Sequence, residues 1–428
     1  MKTFKIFTLI ALSGFGLIRA QQTPADPQSE AISIVGATAH IGDGTVVENA
    51  TLVFENGKIT ALAAGAATQG KVINAQGKHV YPGFIAGSTS LGLVEIDAVR
   101  PTRDMDELGD MIPHIRSMIA YNAESKVVES MRPNGVLLAQ VSPKGGRISG
   151  TSSVMQLDAW NWEDAVVKAD DGIHLNWPAS YRRGRWWMGE EPGFHPNKKY
   201  GEQIDETLQF LANAKAYNQK PATEANIAFA GAKGLFDGTQ KLYVYANGEK
   251  EIIDAISRLH AAGVGKMVLV GGYEAHKTAD LLKQHQVPVM VNATHNLPFY
   301  NDDDYDHAYK LPALLVKAGL LVGIQNMDAA NFQVRNLPFY AGHAAGYGLD
   351  KETALQLISS NTAKILGIDA QYGSLKVGKS ATLFISEGDA LDMRGNQLTH
   401  AFIDGREISL ETHQTKLYKR YSNKYKTK

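Results

Sequence analysis

The apolar positions follow two rhythms. Between residues 31 and 80 they fall in short runs rich in Val, Ile and Thr: Ala31–Thr38, Thr51–Glu55 and Ile59–Leu62. Such runs predict strands, and Asn56-Gly57 between two of them is a tight hairpin signal. The stretch 373–410 repeats the pattern, with strand-like runs at Ala381–Ser386 and Ala401–Ile403 and a second turn signal at Asp404-Gly405. The two ends are therefore expected to complete one small β-sandwich. Between them strand-like runs occur at Gly83–Ser88, Val136–Val141, Leu242–Ala246, Met267–Val270, Val287–Asn292 and Leu320–Ile324. Helical patterns lie between the later runs, at Glu249–Ala262, Glu274–His285 and Tyr305–Ala318. Alternating β and α segments predict an α/β fold with parallel strands and crossover helices. The length of 82–371 suits a (β/α)8 TIM-like barrel. A doubly wound sheet is the alternative, weakened because no Gly-rich phosphate loop follows an early strand.

Three segments fall outside these rhythms. Lys2 and Lys5 precede an apolar run, Ile6 to Ile18, and Ala20 supplies a small residue before Gln21. A basic start, a short apolar stretch and a small residue at the cut describe a secretory signal peptide. The run is too short to span a membrane as a helix. Export across an inner membrane to the periplasm is the expectation. Residues 157–200 hold all five tryptophans, with Arg182, Arg183 and Arg185 among them. They read as an inserted loop packed on the barrel, or as a lid or partner surface. The tail carries Lys416, Lys419, Arg420, Lys424, Lys426 and Lys428 and reads as a solvated end. The expected layout is a signal peptide at 1–20, sandwich at 21–81, barrel at 82–371, and sandwich plus basic tail at 372–428.

Composition narrows the chemistry. Lys plus Arg is 43 against 44 Asp plus Glu, without the basic excess that nucleic-acid binding needs. The chain has no cysteine, which excludes disulfides, thiol catalysis, iron–sulfur clusters and zinc–cysteine sites. After residue 20 no apolar stretch is long enough for a membrane span. No Gly-x-Ser-x-Gly elbow appears. The 13 histidines are never closer than nine residues apart, so His-x-His, His-x3-His and HExxH are all absent.

Residues 34–85, IVGATAHIGDGTVVENATLVFENGKITALAAG…GKHVYPGFI, resemble the opening of amidohydrolase-superfamily enzymes, in particular the imidazolonepropionase-like secreted group. The stretch Ala354 to Ile385, ALQLISSNTAKILGIDAQYGSLKVGKSATLFI, resembles the family's last barrel helix and return to the sandwich. The resemblance implies a (β/α)8 barrel hydrolase acting on non-peptide C–N bonds, with zinc or another divalent ion at the C-terminal mouth. That metal lowers the pKa of a bound water and polarises the carbonyl. The family's ligands are a His-x-His after the first strand, a bridging carboxylated Lys or Glu, one His each after the fifth and sixth strands, and an Asp after the eighth.

At the matching positions this chain departs from the pattern. PGFIAGSTSL puts Ser88 and Ser90 where the two histidines belong. LYVYANG offers Tyr245 or Asn247 at the fifth strand, and KMVLVGG offers Gly271 at the sixth. These are vestigial metal positions, because hydroxyls are poor ligands beside imidazole. GIQNMDA retains Asp328 within one residue of the catalytic Asp. Three further residues are candidates for a pocket. His174, in DGIHLNWP, falls near the bridging-Lys position or is a structural histidine. His295 follows the seventh strand-like run, where barrel function collects. Glu95, with Asp97 behind it, follows the first strand. SPKGGRISG, residues 142–150, reads as an anion cradle or a flexible loop.

Three readings follow. The first is an amidohydrolase-family protein that has lost its metal ligands, expects no cofactor, and is inactive or altered. The second is an active hydrolase with a relocated or single metal. The third is a periplasmic small-molecule binding or assembly-partner protein. A small-molecule ligand, a second copy of the chain or a paralogous amidohydrolase are the expected partners.

Overall fold

The computed structural model describes residues 24–220, 224–328 and 330–426. The predicted signal peptide lies outside them. Five strands come first: β1 (Ile32–His40), β2 (Val46–Glu55), β3 (Lys58–Ala64), β4 (Lys71–Asn74) and β5 (His79–Pro82). Four more follow: β6 (Phe84–Thr89), β7 (Val136–Val141), β8 (Ile148–Gln156) and β9 (Val166–Asn176). A hairpin, β10 (Tyr181–Arg183) and β11 (Phe194–Pro196), precedes β12 (Lys241–Ala246), β13 (Met267–Gly271), β14 (Val289–Val291) and β15 (Val322–Ile324). The chain returns through β16 (Leu383–Ser386), β17 (Leu398–Ile403) and β18 (Arg406–Glu407).

The two ends share one sheet, ordered β18-β17-β16-β5-β1-β2-β3 with β4 beside β1. The join is the antiparallel pair β5–β16, where Leu383 faces Pro82 and Ser386 faces His79. Its core includes Ile34, Leu52, Phe54, Leu383 and Phe402. Both predicted turns form as expected. Asn56 and Gly57 take φ of 51° and 76°, and Asp404 and Gly405 take 47° and 77°. That left-handed pair is the type I′ geometry that Asn-Gly and Asp-Gly favour. The turns also meet: a Cβ on Gly405 would lie 3.0 Å from the Gly57 Cα. Gly405→Ala is expected to cost about 1–3 kcal/mol through the positive φ, read as a lowered midpoint in urea unfolding.

The second sheet runs β15-β14-β13-β12-β9-β8-β7-β6. A parallel bridge from Gly87 to Gln325 brings β6 back to β15 and closes the barrel. Seven strands run parallel, but β8 is antiparallel to both β7 and β9. The barrel is therefore TIM-like with one reversed strand, reached from β7 by the short turn at 142–147 instead of a crossover helix. The expected insertion at 157–200 is shorter than the sequence pattern suggests, because β9 occupies 166–176. Trp177 is buried, whereas Trp160, Trp186 and Trp187 are exposed. The tail is ordered further than expected, as a helix over His413–Lys426.

Tyr81, Phe84 and Phe384 join the two bodies. Their rings pack edge-on or stacked with centroids 4.9 to 6.2 Å apart. Arg132 is buried against Asp158 at 3.0 Å, and Asp158 also takes Arg406 of β18 at 3.0 Å. A carboxylate held between two guanidiniums thus ties barrel to sandwich. No helix among the described residues is long and apolar enough to cross a membrane.

Candidate functional site

The C-terminal ends of the barrel strands converge on the positions singled out in the sequence. Ser88 ends β6 in a bulge, with φ of 42° and its N–H donated to Gln140 Oε1 at 3.0 Å. Tyr245 on β12 points inward, and its hydroxyl makes a very short hydrogen bond with Ser88 Oγ. The same hydroxyl lies 2.9 Å from His174 Nδ1 on β9. Positions on the first, fourth and fifth barrel strands are thus closed on one another through a single phenol oxygen.

His174 is completely buried and stacks on Tyr243, with centroids 4.8 Å apart and planes 7° from parallel. Burial pushes its pKa down to about 3, only partly opposed by the charge of Asp171, so the ring is neutral. Its Nε2 has no hydrogen-bond partner among the described residues. Burial also holds the Tyr245 phenol well above the usual tyrosine range, so no phenolate forms near neutrality.

A second polar chain lines the opposite side of the mouth. Gln325 Nε2 donates to Asn292 Oδ1 at 2.6 Å and to Asp328 at 2.9 Å. Partial desolvation by the surrounding mouth raises the Asp328 carboxyl above its ordinary range, against the Gln325 hydrogen bond and the charge of Lys144, while the side chain still meets solvent. Lys144 belongs to the 142–150 loop, so that loop reaches the mouth electrostatically. Ser90 turns away from Ser88 and donates to Asn331 Oδ1 at 2.5 Å. Gly271 has φ of 95°, and a Cβ there would meet Asn247 Oδ1 at 2.6 Å. Asn247 itself accepts from Tyr273 N–H. The structure therefore selects Tyr245, not Asn247, for the Ser88–His174 cluster.

Glu95 and His295 do not join this cluster. Glu95 accepts from Asn122 Nδ2 at 3.1 Å within the 91–123 connection. His295 is exposed, edge-on to His343 at 5.4 Å.

Beneath the mouth lies a polar floor that sequence reasoning missed. Asp171 is fully buried and receives Lys168 at 2.5 Å, Lys241 at 3.1 Å, Gln140 Nε2 at 3.3 Å and the Tyr243 hydroxyl. Gln140 then reaches Ser88, so one hydrogen-bonded chain runs from Lys241 to His174. The available signal was a polar side chain at inward parity in an apolar strand, as in VLLAQV.

The donors present do not fit a divalent metal. The cluster offers a hydroxyl, a phenol and a single imidazole, whose Nδ1 is hydrogen-bonded and whose Nε2 is the one uncommitted nitrogen, and one imidazole beside two neutral hydroxyls is a weak set for a borderline cation. Among the described residues no three His, Asp or Glu side chains stand close enough to hold a metal ion.

Comparison with known proteins gives the fold a family. No curated protein matches the chain. Among solved structures, an amidohydrolase from Thermotoga maritima superposes with a TM-score of 0.76 at 21% identity, covering 88% of this chain and 99% of its own. A putative prolidase from Bifidobacterium longum gives 0.54 at 15% identity, covering 89% and 95%. An adenosine deaminase from Xanthomonas campestris, with bound zinc, gives 0.52 at 14% identity, covering 95% and 100%. At these identities the likeness establishes the fold alone. The amidohydrolase family pattern matches residues 193–408, a span that holds β11 to β18 and leaves out β6 to β9, with Ser88, Ser90 and His174. Because that match spans half of the chain, the protein belongs to the amidohydrolase family.

Proposed function

We propose that this chain is an altered member of the family that binds a small polar molecule at the barrel mouth and works without a metal-activated water. The observation that carries the reading is the Tyr245 hydroxyl, bonded to both Ser88 and His174. It fills the volume between three strand ends with a neutral oxygen. The mouth also keeps unspent hydrogen-bonding capacity. Ser142 Oγ after β7, both amide atoms of Asn326 after β15, and His174 Nε2 are buried without partners among the described residues. Such groups cost free energy unless a ligand or water completes them. Asp328 and Lys144 supply one group of each sign at the same opening.

Hydrolysis by the family route needs a base that takes a proton from an activated water. Here the Ser88–Tyr245–His174 cluster is a poor donor set for the metal that would activate that water, and burial makes His174 a weak base. The signal-peptide pattern of residues 1–20 makes the periplasm the proposed location. There the protein would act as a binding or assembly partner, with a second copy or a paralogous amidohydrolase as the macromolecular candidates.

The test is elemental analysis of protein purified without chelators. Well under one zinc, iron or manganese per chain is expected. A full equivalent supports the rival reading, a hydrolase with a single or relocated metal.

A further inference from the structure

The opposite end of the barrel carries a cleft that the proposed function does not use. It opens where β12, β13, β14 and β15 begin, and its volume is 540 Å³. That size lies in the range of small-molecule sites. Lys241, Lys266, Lys283 and Lys364 line it, together with His285, and among the described residues no Asp or Glu does. Between the lysines the wall is apolar, built from Met267, Leu282, Val287, Leu320 and Ile365.

The cationic charge is under-compensated. Lys241 and Lys168 share a single oxygen of the buried Asp171, at 3.1 and 2.5 Å. Lys266 spends its ammonium on a neutral acceptor, the Gly238 carbonyl, at 2.7 Å. Lys283 pairs with Asp280 at 2.9 Å, but that carboxylate is 98% exposed and screened. Lys364 is exposed and has no ion pair with a described residue. Burial also pushes the Lys241 ammonium below its ordinary range, with Lys168 adding to the shift. Several like charges around an apolar wall favour an occupant that is negative at one end and apolar at the other.

We propose that this cleft binds an amphipathic organic anion, a free small molecule with one anionic head and a compact apolar body. The head sits among Lys241, Lys283 and Lys364, and the body lies on the Met267–Leu320 wall. The site is at the far end from the mouth, so the proposal stands or falls independently of the function proposed there.

Isothermal titration of the full chain with 4-phenylbutyrate tests it, beside 4-phenylbutan-1-ol as the neutral body and inorganic phosphate as the bare head. The expected result is saturable binding of 4-phenylbutyrate, at least about tenfold tighter than either control and weakened by salt. The double variant Lys283→Glu/Lys364→Glu changes two exposed side chains and should fold with an unchanged circular dichroism spectrum. It should lose about tenfold or more in affinity, while Lys424→Glu on the terminal helix should lose none. The proposal is overturned if no heat appears up to about 10 mM ligand. Equal binding of the alcohol or of phosphate, undiminished binding by the double variant, or an equal loss in Lys424→Glu would overturn it as well.

Discussion

Acidification should destabilise this protein through His174 by on the order of 4–5 kcal/mol between pH 6.5 and pH 3. The ring is buried, stacked on Tyr243 and held at a pKa of about 3. In the unfolded chain it titrates at the ordinary histidine value, near 6.5. The folded form therefore keeps the ring neutral while the unfolded form takes up a proton. Stability is at its plateau above pH 6.5 and falls as the pH drops toward 3. One proton gives a slope of about 1.4 kcal/mol per pH unit. His79, His276, His343 and His400 are also shifted down, each mainly by burial, and add to the fall. His174→Gln keeps a polar partner for Tyr245 and removes one titrating group. Urea unfolding of parent and variant between pH 6.5 and 4.5 should show the variant's slope smaller by nearly one proton. Identical slopes would mean that His174 is not the buried neutral group described here.

The second large effect is steric. Gly271→His, the substitution that would return a family ligand to the sixth strand, should cost about 2–4 kcal/mol. Two terms contribute. The backbone sits at φ of 95°, a conformation that a side chain rarely adopts, and the new Cβ would stand 2.6 Å from Asn247 Oδ1. Gly271→Ala shares both terms and should lose nearly as much stability. Asn247→Gly beside Gly271→His should recover only the overlap. A Gly271→Ala variant within about 0.5 kcal/mol of the parent would contradict the account. Simple restoration of histidines at 88, 90, 245 and 271 is therefore not expected to rebuild a zinc site. The sixth strand end no longer has the shape for an imidazole, and Ser90 now faces Asn331 rather than the cluster.

Legibility in the sequence followed burial pattern. The sandwich strands and both hairpins could be read because Asn56-Gly57 and Asp404-Gly405 demand left-handed backbone, and the folded chain provides it. Strands β12 to β15 could be read because they are short apolar runs, and the helix Glu249–Ala261 because Ile252, Ala255, Ile256 and Leu259 share a buried face. Strand β9 could not. Its buried half holds the polar residues Asp171 and His174, and its start, VVKADD, has the polarity of a loop. Strand β8, ISGTSSVMQ, is buried through small hydroxyl residues that give no apolar alternation. The helix Tyr200–Gln219 buries only Ile204, Thr207, Leu211 and Ala214 along its length.

The site was legible as positions and not as contacts. Ser88, Tyr245 and His174 could each be placed on a strand end by family resemblance. That one phenol oxygen joins the other two depends on the β9–β12 register, in which Asn176 faces Tyr245 and His174 faces Tyr243. Glu95 and His295 sit in connections whose course no strand pattern constrains, and they fell elsewhere.

The most direct measurement is an anomalous difference map at the zinc edge, from crystals of the purified protein soaked in zinc. No peak is expected in the space bounded by Ser88, His174, Tyr245 and Asp328, with the Tyr245 hydroxyl density continuous toward both Ser88 Oγ and His174 Nδ1. A strong peak there, with Tyr245 rotated away and His174 and Asp328 as ligands, would contradict it.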